Sequence, residues 1–196
     1  MHWLIAALVA NLTAAPMLQN PSFEADRYSV SPGTANGNGK TITGWSYSGN
    51  AGVNPLWKNP QTQKGPDSPF HDNGAIPDGK QLAFIQGPGK LSQEVGGFEQ
   101  GHRYIVGFRE NARIQHQGDQ WPQVRVTLGG QVIVSPHEVT PIARKDDLTV
   151  PFYRVESAVF TAPTTGEFEL AIETVQESRT TTILLDAVEI REVGER

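Results

Sequence analysis

The run VRVTLGGQVIV, residues 124–134, decides the fold. Val124, Val126 and Leu128 alternate with Arg125 and Thr127, the period-two pattern of a strand with one face buried. Gly129-Gly130 then interrupts the run before QVIV begins a second strand. Two glycines between short alternating segments predict a hairpin with a two-residue turn, because that turn needs positive φ at its centre. Working outward, the same pattern recurs in KQLAFIQ (80–86), KLSQEV (90–95), HRYIVGFRENARI (102–114), YRVESAVFTA (153–162), FELAIETV (168–175) and TTILLDAVEI (181–190). Turn residues fall between them at Pro77-Asp78-Gly79, Gly87-Pro88-Gly89, Gly96-Gly97, Gly118-Asp119 and Thr164-Thr165-Gly166. Short strands joined by short turns are antiparallel. An all-β jelly-roll β-sandwich of two antiparallel sheets is the expected architecture.

Composition agrees and narrows the function. The 196 residues include 20 Gly and 14 Pro, a turn-rich content above the usual ~12%. With 21 acidic against 16 basic residues, the net charge of −5 is opposite to a nucleic-acid binder's footprint. The absence of cysteine removes disulfides, thiolate metal sites and cysteine nucleophiles. No GxSxG, HExxH or phosphate-binding loop occurs, and the five histidines form no i, i+4 pair. The segment from Arg27 to Gly79 is rich in Gly, Asn, Pro and Ser and reads as a long loop region.

At the N-terminus, MHWLIAALVANLTAAP (1–16) carries an apolar run from Trp3 to Leu12 that is too short to span a bilayer. It fits the apolar core of a secretory signal ending at Thr13-Ala14-Ala15, although no Lys or Arg precedes it. The expected organisation is a signal peptide at 1–16, one domain at 17–193 and a short tail at 194–196. The protein is then secreted or at the cell surface, with no membrane span.

LQNPSFEAD (18–26) followed by ITGW (42–45) resembles the galactose-binding-like jelly-roll superfamily. That superfamily includes carbohydrate-binding modules and the cell-wall domains of plant and PEP-CTERM-type bacterial proteins. The later blocks PDGKQLAFI (77–85), LSQEV (91–95), GHRYIVGF (101–108), FTA (160–162) and LLDAVEI (184–190) run in that superfamily's order. The resemblance implies a first strand carrying the Phe-Glu pair, a core role for Trp45 and a structural calcium ion. The ion would be held by Glu24 on the first strand and Asp186 on the last. Two carboxylates meeting where terminal strands are neighbours call for a hard cation with oxygen ligands, and loop carbonyls complete its shell.

A candidate ligand face lies on the strand at 104–114. Alternation puts Tyr104, Val106 and Phe108 on one side and Arg109, Asn111 and Arg113 on the other. Trp121 from the next loop and Arg125 from the next strand extend that set. Arg and Asn make paired hydrogen bonds to sugar hydroxyls or carboxylates, and an aromatic ring stacks on a pyranose face. The expected function is non-catalytic binding of a glycan or cell-surface polysaccharide. A structural or adhesion domain contacting other protein domains without binding sugar is the alternative. The similar calcium-dependent Stig cyclases, and glycoside-acting enzymes with paired carboxylates, keep an enzymatic reading open.

Overall fold

The computed structural model describes residues 15–26, 41–54, 75–113, 120–142, 152–176 and 180–194. Among them are nine strands: β1 (Ser46–Asn54), β2 (Leu82–Phe98), β3 (Arg103–Ala112), β4 (Gln123–Leu128), β5 (Gln131–Glu138), β6 (Tyr153–Glu156), β7 (Phe160–Thr161), β8 (Gly166–Thr174) and β9 (Thr182–Glu192). Their order is β5-β4-β8-β2-β9-β3-β6, with β1 beside β2 and β7 beside β3, and every pairing is antiparallel. The expected hairpin is present. Gly129 (φ 56°) and Gly130 (φ 79°) both occupy the left-handed region, as a two-residue turn between β4 and β5 requires.

β2 is what folds one sheet into two layers. Its first part, Ala83–Gln86, pairs with β9, and its second, from Gly89 onward, pairs with β8. β1 follows it through both parts. Gly87-Pro88-Gly89, read from sequence as a turn between two strands, is instead a corner inside one strand. A Cβ on Gly49 (φ 74°) would lie 2.2 Å from the Pro88 carbonyl oxygen, so β1 can cross the corner there only as glycine. Thr174 secures the bend: its hydroxyl donates to the Gly87 carbonyl at 2.7 Å and accepts from the Gly89 amide at 2.9 Å.

The two layers close on one apolar core. Val124, Val126 and Leu128 of β4, Leu170 and Ile172 of β8, and Leu91 and Val95 of β2 meet Ala83, Ile85, Val106, Phe108, Ile183 and Leu185 from the other layer. Phe98, Tyr104, Phe160 and Phe168 pack edge to face at one end, with Phe98 at 4.8 Å from Tyr104 and 5.2 Å from Phe168. A smaller cluster of Leu82, Phe84, Phe152 and Leu184, with Ile76 against it, covers the outer face of the β2–β9–β3 layer.

Three sequence expectations change. Residues 19–26 form successive turns instead of a first strand, because Asn20 (φ 48°) and Phe23 (φ 58°) are left-handed. SYSGNAGVN, inside the segment read as loop, is the strand β1. YRVESAVFTA divides into β6 and β7, separated at Ser157, whose hydroxyl accepts the Val106 amide in place of a ladder bond. Residues 1–14, the charged stretch 143–150, Trp57 and His116 lie outside the described residues.

Candidate functional site: a carboxylate turn and an outer sheet face

The turn at 18–26 is fastened on all sides. Phe23 is fully buried against Trp45, ring centroids 5.3 Å apart, which places Trp45 in the core as expected. The Asn20 carbonyl accepts from the Phe23 amide and from Trp45 Nε1, and its side-chain oxygen accepts from the Ala25 amide. Asp26 receives the amide and hydroxyl of Thr43 at 2.7 Å each. The Pro21 carbonyl accepts the Val188 amide at 3.0 Å, which brings the turn to β9.

Glu24 and Asp186 therefore meet at one end of the sandwich. Oε1 of Glu24 accepts the amides of Lys80 and Gln81 at 2.6 Å each. Oε2 of Glu24 accepts nothing from a described residue. Gly79 (φ 73°) makes the room, since a Cβ there would lie 2.5 Å from the Glu24 carboxylate. Asp186 is fully buried, with Oδ2 accepting the Asp78 amide at 2.8 Å and Oδ1 the Ala187 amide at 2.7 Å. Ala187 (φ 49°) is the third left-handed non-glycine, so such residues directly precede Glu24 and directly follow Asp186. Strain of this kind, about 1–3 kcal/mol per residue, collects where a side chain must be aimed.

The electrostatics of this corner are one-sided. Burial pushes the Asp186 carboxyl up to about 7, and the carboxylates of Asp78 and Glu24 push the same way, against the two backbone amides. Among the described residues no three His, Asp or Glu side chains converge as a ready metal cage. A cation here is limited to two carboxylates plus main-chain oxygens and water, which is still a chemically complete set for calcium. The residues fit such an ion: two converging carboxylates and, at Glu24 Oε2, one oxygen with no donor among the described residues.

The other candidates divide between two surfaces. Arg109 and Asn111 lie on the outer face of β3, as the alternation predicts, opposite Asp186 and Leu184 of β9, and Arg113 follows one residue past the strand's end. Arg109 and Arg113 are half-buried, whereas Asn111 is fully buried and clamps Ile142, accepting its amide at 2.9 Å and donating to its carbonyl at 3.2 Å. Asn54, on the same outer face opposite Leu82, is fully buried with both side-chain polar atoms unpartnered among the described residues. Trp121 is half-buried at the end of the sandwich that also carries Arg113. There Gln176 joins the Gln123 amide to the Thr181 hydroxyl, and Thr182 accepts the Arg113 amide. Arg125 does not join them. It points outward from the opposite layer, where its guanidinium is 2.8 Å from Glu173.

Strands of this topology, wrapped about one core, form a jelly-roll β-sandwich. Two kinds of solved structure share it. An apo cyclase from Fischerella sp. is similar with a TM-score of 0.59 at 18% identity, covering 90% of this chain and 95% of that one. A second cyclase structure from Fischerella sp. TAU gives 0.59 at 17% identity, over 93% and 99%. The carbohydrate-binding module TmCBM61, solved with β-1,4-galactotriose, gives 0.55 at 16% identity, over 92% and 100%. No protein-family model matches the sequence, and no curated protein matches it. Among the described residues no helix is long and apolar enough to cross a membrane.

Proposed function

We propose that the protein is an exported, non-catalytic glycan-binding module whose first turn and last strand hold a structural calcium ion. One observation carries the binding assignment. Arg109 on β3 and Arg113, one residue past its end, stand four residues apart, about 13 Å along the extended chain, on either side of an Asn111 fixed to Ile142. Beside them lies the apolar cluster of Phe84, Leu184 and Phe152. That cluster is buried and supports the strand from beneath, and two planar donors at this spacing suit the hydroxyl groups of an oligosaccharide. Trp121 is the stacking group at the rim, and Arg125 has no part in it. The apolar run of residues 1–16 supports export.

Glu24 and Asp186 hold the calcium ion, and its effect is to keep the turn at 18–26 on β9. Both Asp186 oxygens are engaged by backbone amides, which suits a fixed ligand better than an acid that must reach a substrate. That favours the binding module over a cyclase-like role. The test is retention on a panel of immobilised polysaccharides. The expected result is retention by at least one, weakened about tenfold by Arg109→Ala or Trp121→Ala, or ~1.4 kcal/mol. No retention by a folded protein would favour the adhesion-domain alternative.

A further inference from the structure

Between β5 of one layer and β6 of the other, the sandwich has an open edge containing a groove of about 650 Å³. That is within the ~300–1,000 Å³ typical of small-molecule sites. Glu110 lies in it. On β3, Tyr104, Val106, Phe108 and Ala112 all face the core, and Glu110 occupies the same parity, where an apolar residue would complete the pattern. It is 3% exposed. Its Oε1 is 2.8 Å from His137 Nε2, while its Oε2 is buried with no partner among the described residues. A buried acceptor without a donor costs about 1–3 kcal/mol, more if charged, so a donor supplied by a water or a ligand is favoured there.

The surroundings indicate what donor would arrive. The other ring nitrogen of His137 is 3.1 Å from the Ser135 carbonyl, so both nitrogens face acceptors, an arrangement that favours the protonated ring. Glu110 and His137 thus neutralise each other, as Arg154 and Glu156 do at 3.1 Å on the far wall. Tyr153 is 40% exposed, with its hydroxyl 3.2 Å from Thr140 Oγ1 and its ring in the groove wall. A cation would have to approach the imidazolium, and an anion would meet Glu110 and Glu138. What remains is a neutral ligand with hydroxyl donors and a flat apolar face. We propose that this groove is a second binding site, taking a single pyranose ring that lies against Tyr153 and moves the His137 ring aside so that one hydroxyl reaches Glu110 Oε2.

The proposal is independent of the outer-face assignment, since Arg109 points away from the core and the groove opens at the edge. NMR titration of the His137 and Tyr153 ring signals tests it, with methyl β-galactopyranoside and methyl β-xylopyranoside as probes and propylammonium chloride as the cationic control. The expected result is saturable shifts of both rings, with millimolar affinity, from at least one glycoside and none from propylammonium. Tyr153→Ala, at an exposed position that folding tolerates, weakens this about tenfold, or ~1.4 kcal/mol, and Glu110→Gln weakens it similarly. Arg109→Ala leaves it unchanged, so a failure of the outer-face site reads separately. Absence of saturable shifts with either glycoside, shifts unaltered by Tyr153→Ala, or binding of propylammonium alone would each overturn the proposal.

Discussion

Asp186 and Glu110 sit one register step apart on paired strands, Asp186 opposite Arg109 and Glu110 opposite Leu185. Both are buried carboxyls, 0% and 3% exposed, yet they are compensated in opposite ways. Glu110 faces inward and is met by the His137 ring from across the sandwich. Asp186 is met by two backbone amides, with Glu24 and Asp78 adding negative charge around it. A buried carboxylate that brings its own cation is complete as a charge and can spend its second oxygen on a ligand. One surrounded by further carboxylates must stay protonated or take a cation from solution. The difference separates the groove proposed to bind sugar from the corner proposed to bind calcium.

The largest expected effect comes from the Asp186 side. Its carboxyl rises from 3.8 in the unfolded chain to about 7 in the fold, so between those values folding takes up a proton and stability falls as pH rises. The loss amounts to about 4 kcal/mol at most, complete above pH ~7. Urea unfolding across that range in chelator will show the decline, and Asp186→Asn will flatten it. Calcium comes next. At 100 times its Kd it adds ~2.7 kcal/mol, a rise in Tm of about 5–10 °C, which magnesium does not reproduce and Glu24→Ala abolishes.

The Glu110 side has the opposite sign. The hydrogen bond from Glu110, with its charge and the Ser135 carbonyl, raises the His137 pKa above 6.5 against the effect of burial. Its contribution is fully present below pH 6.5 and disappears as pH rises through the folded value. His137→Ala should cost about 1–3 kcal/mol at pH 6 and clearly less at pH 9, read from denaturation midpoints. The smallest effect belongs to Arg109. Arg109→Ala should leave stability within ~0.5 kcal/mol while weakening glycan retention, which separates a ligand contact from a structural one.

Most of the sheet was legible because alternation and glycine turns are local signals. β1 was not: Ser, Gly and Asn have poor strand propensity, and SYSGNAGVN is extended because nine of its residues pair along β2. The Gly87-Pro88-Gly89 corner looks the same as a turn until the partner strand is known to continue through it. At the carboxylate corner, the pairing of Glu24 with Asp186 came from the family resemblance, whereas the room made by Gly79 depends on a contact distant in sequence. Asn-Pro at 20–21 was the available sign of turns where a strand was expected. Arg125 was misplaced because parity tells which side of a strand a residue takes, not which layer the strand joins. Glu110 sits at an apolar parity position of β3, and its partner His137 lies on the opposite layer, so no spacing rule connects them.

The central claim is that Glu24 and Asp186 bind calcium and that Asp186 gives up a proton when they do. Calorimetric titration with calcium at pH 6, in two buffers of different ionisation enthalpy, tests it directly. The account predicts one calcium ion bound with the release of about one proton, and neither in Glu24→Ala. Absence of calcium binding to the folded wild-type protein, or binding that persists in Glu24→Ala with no proton released, would contradict it.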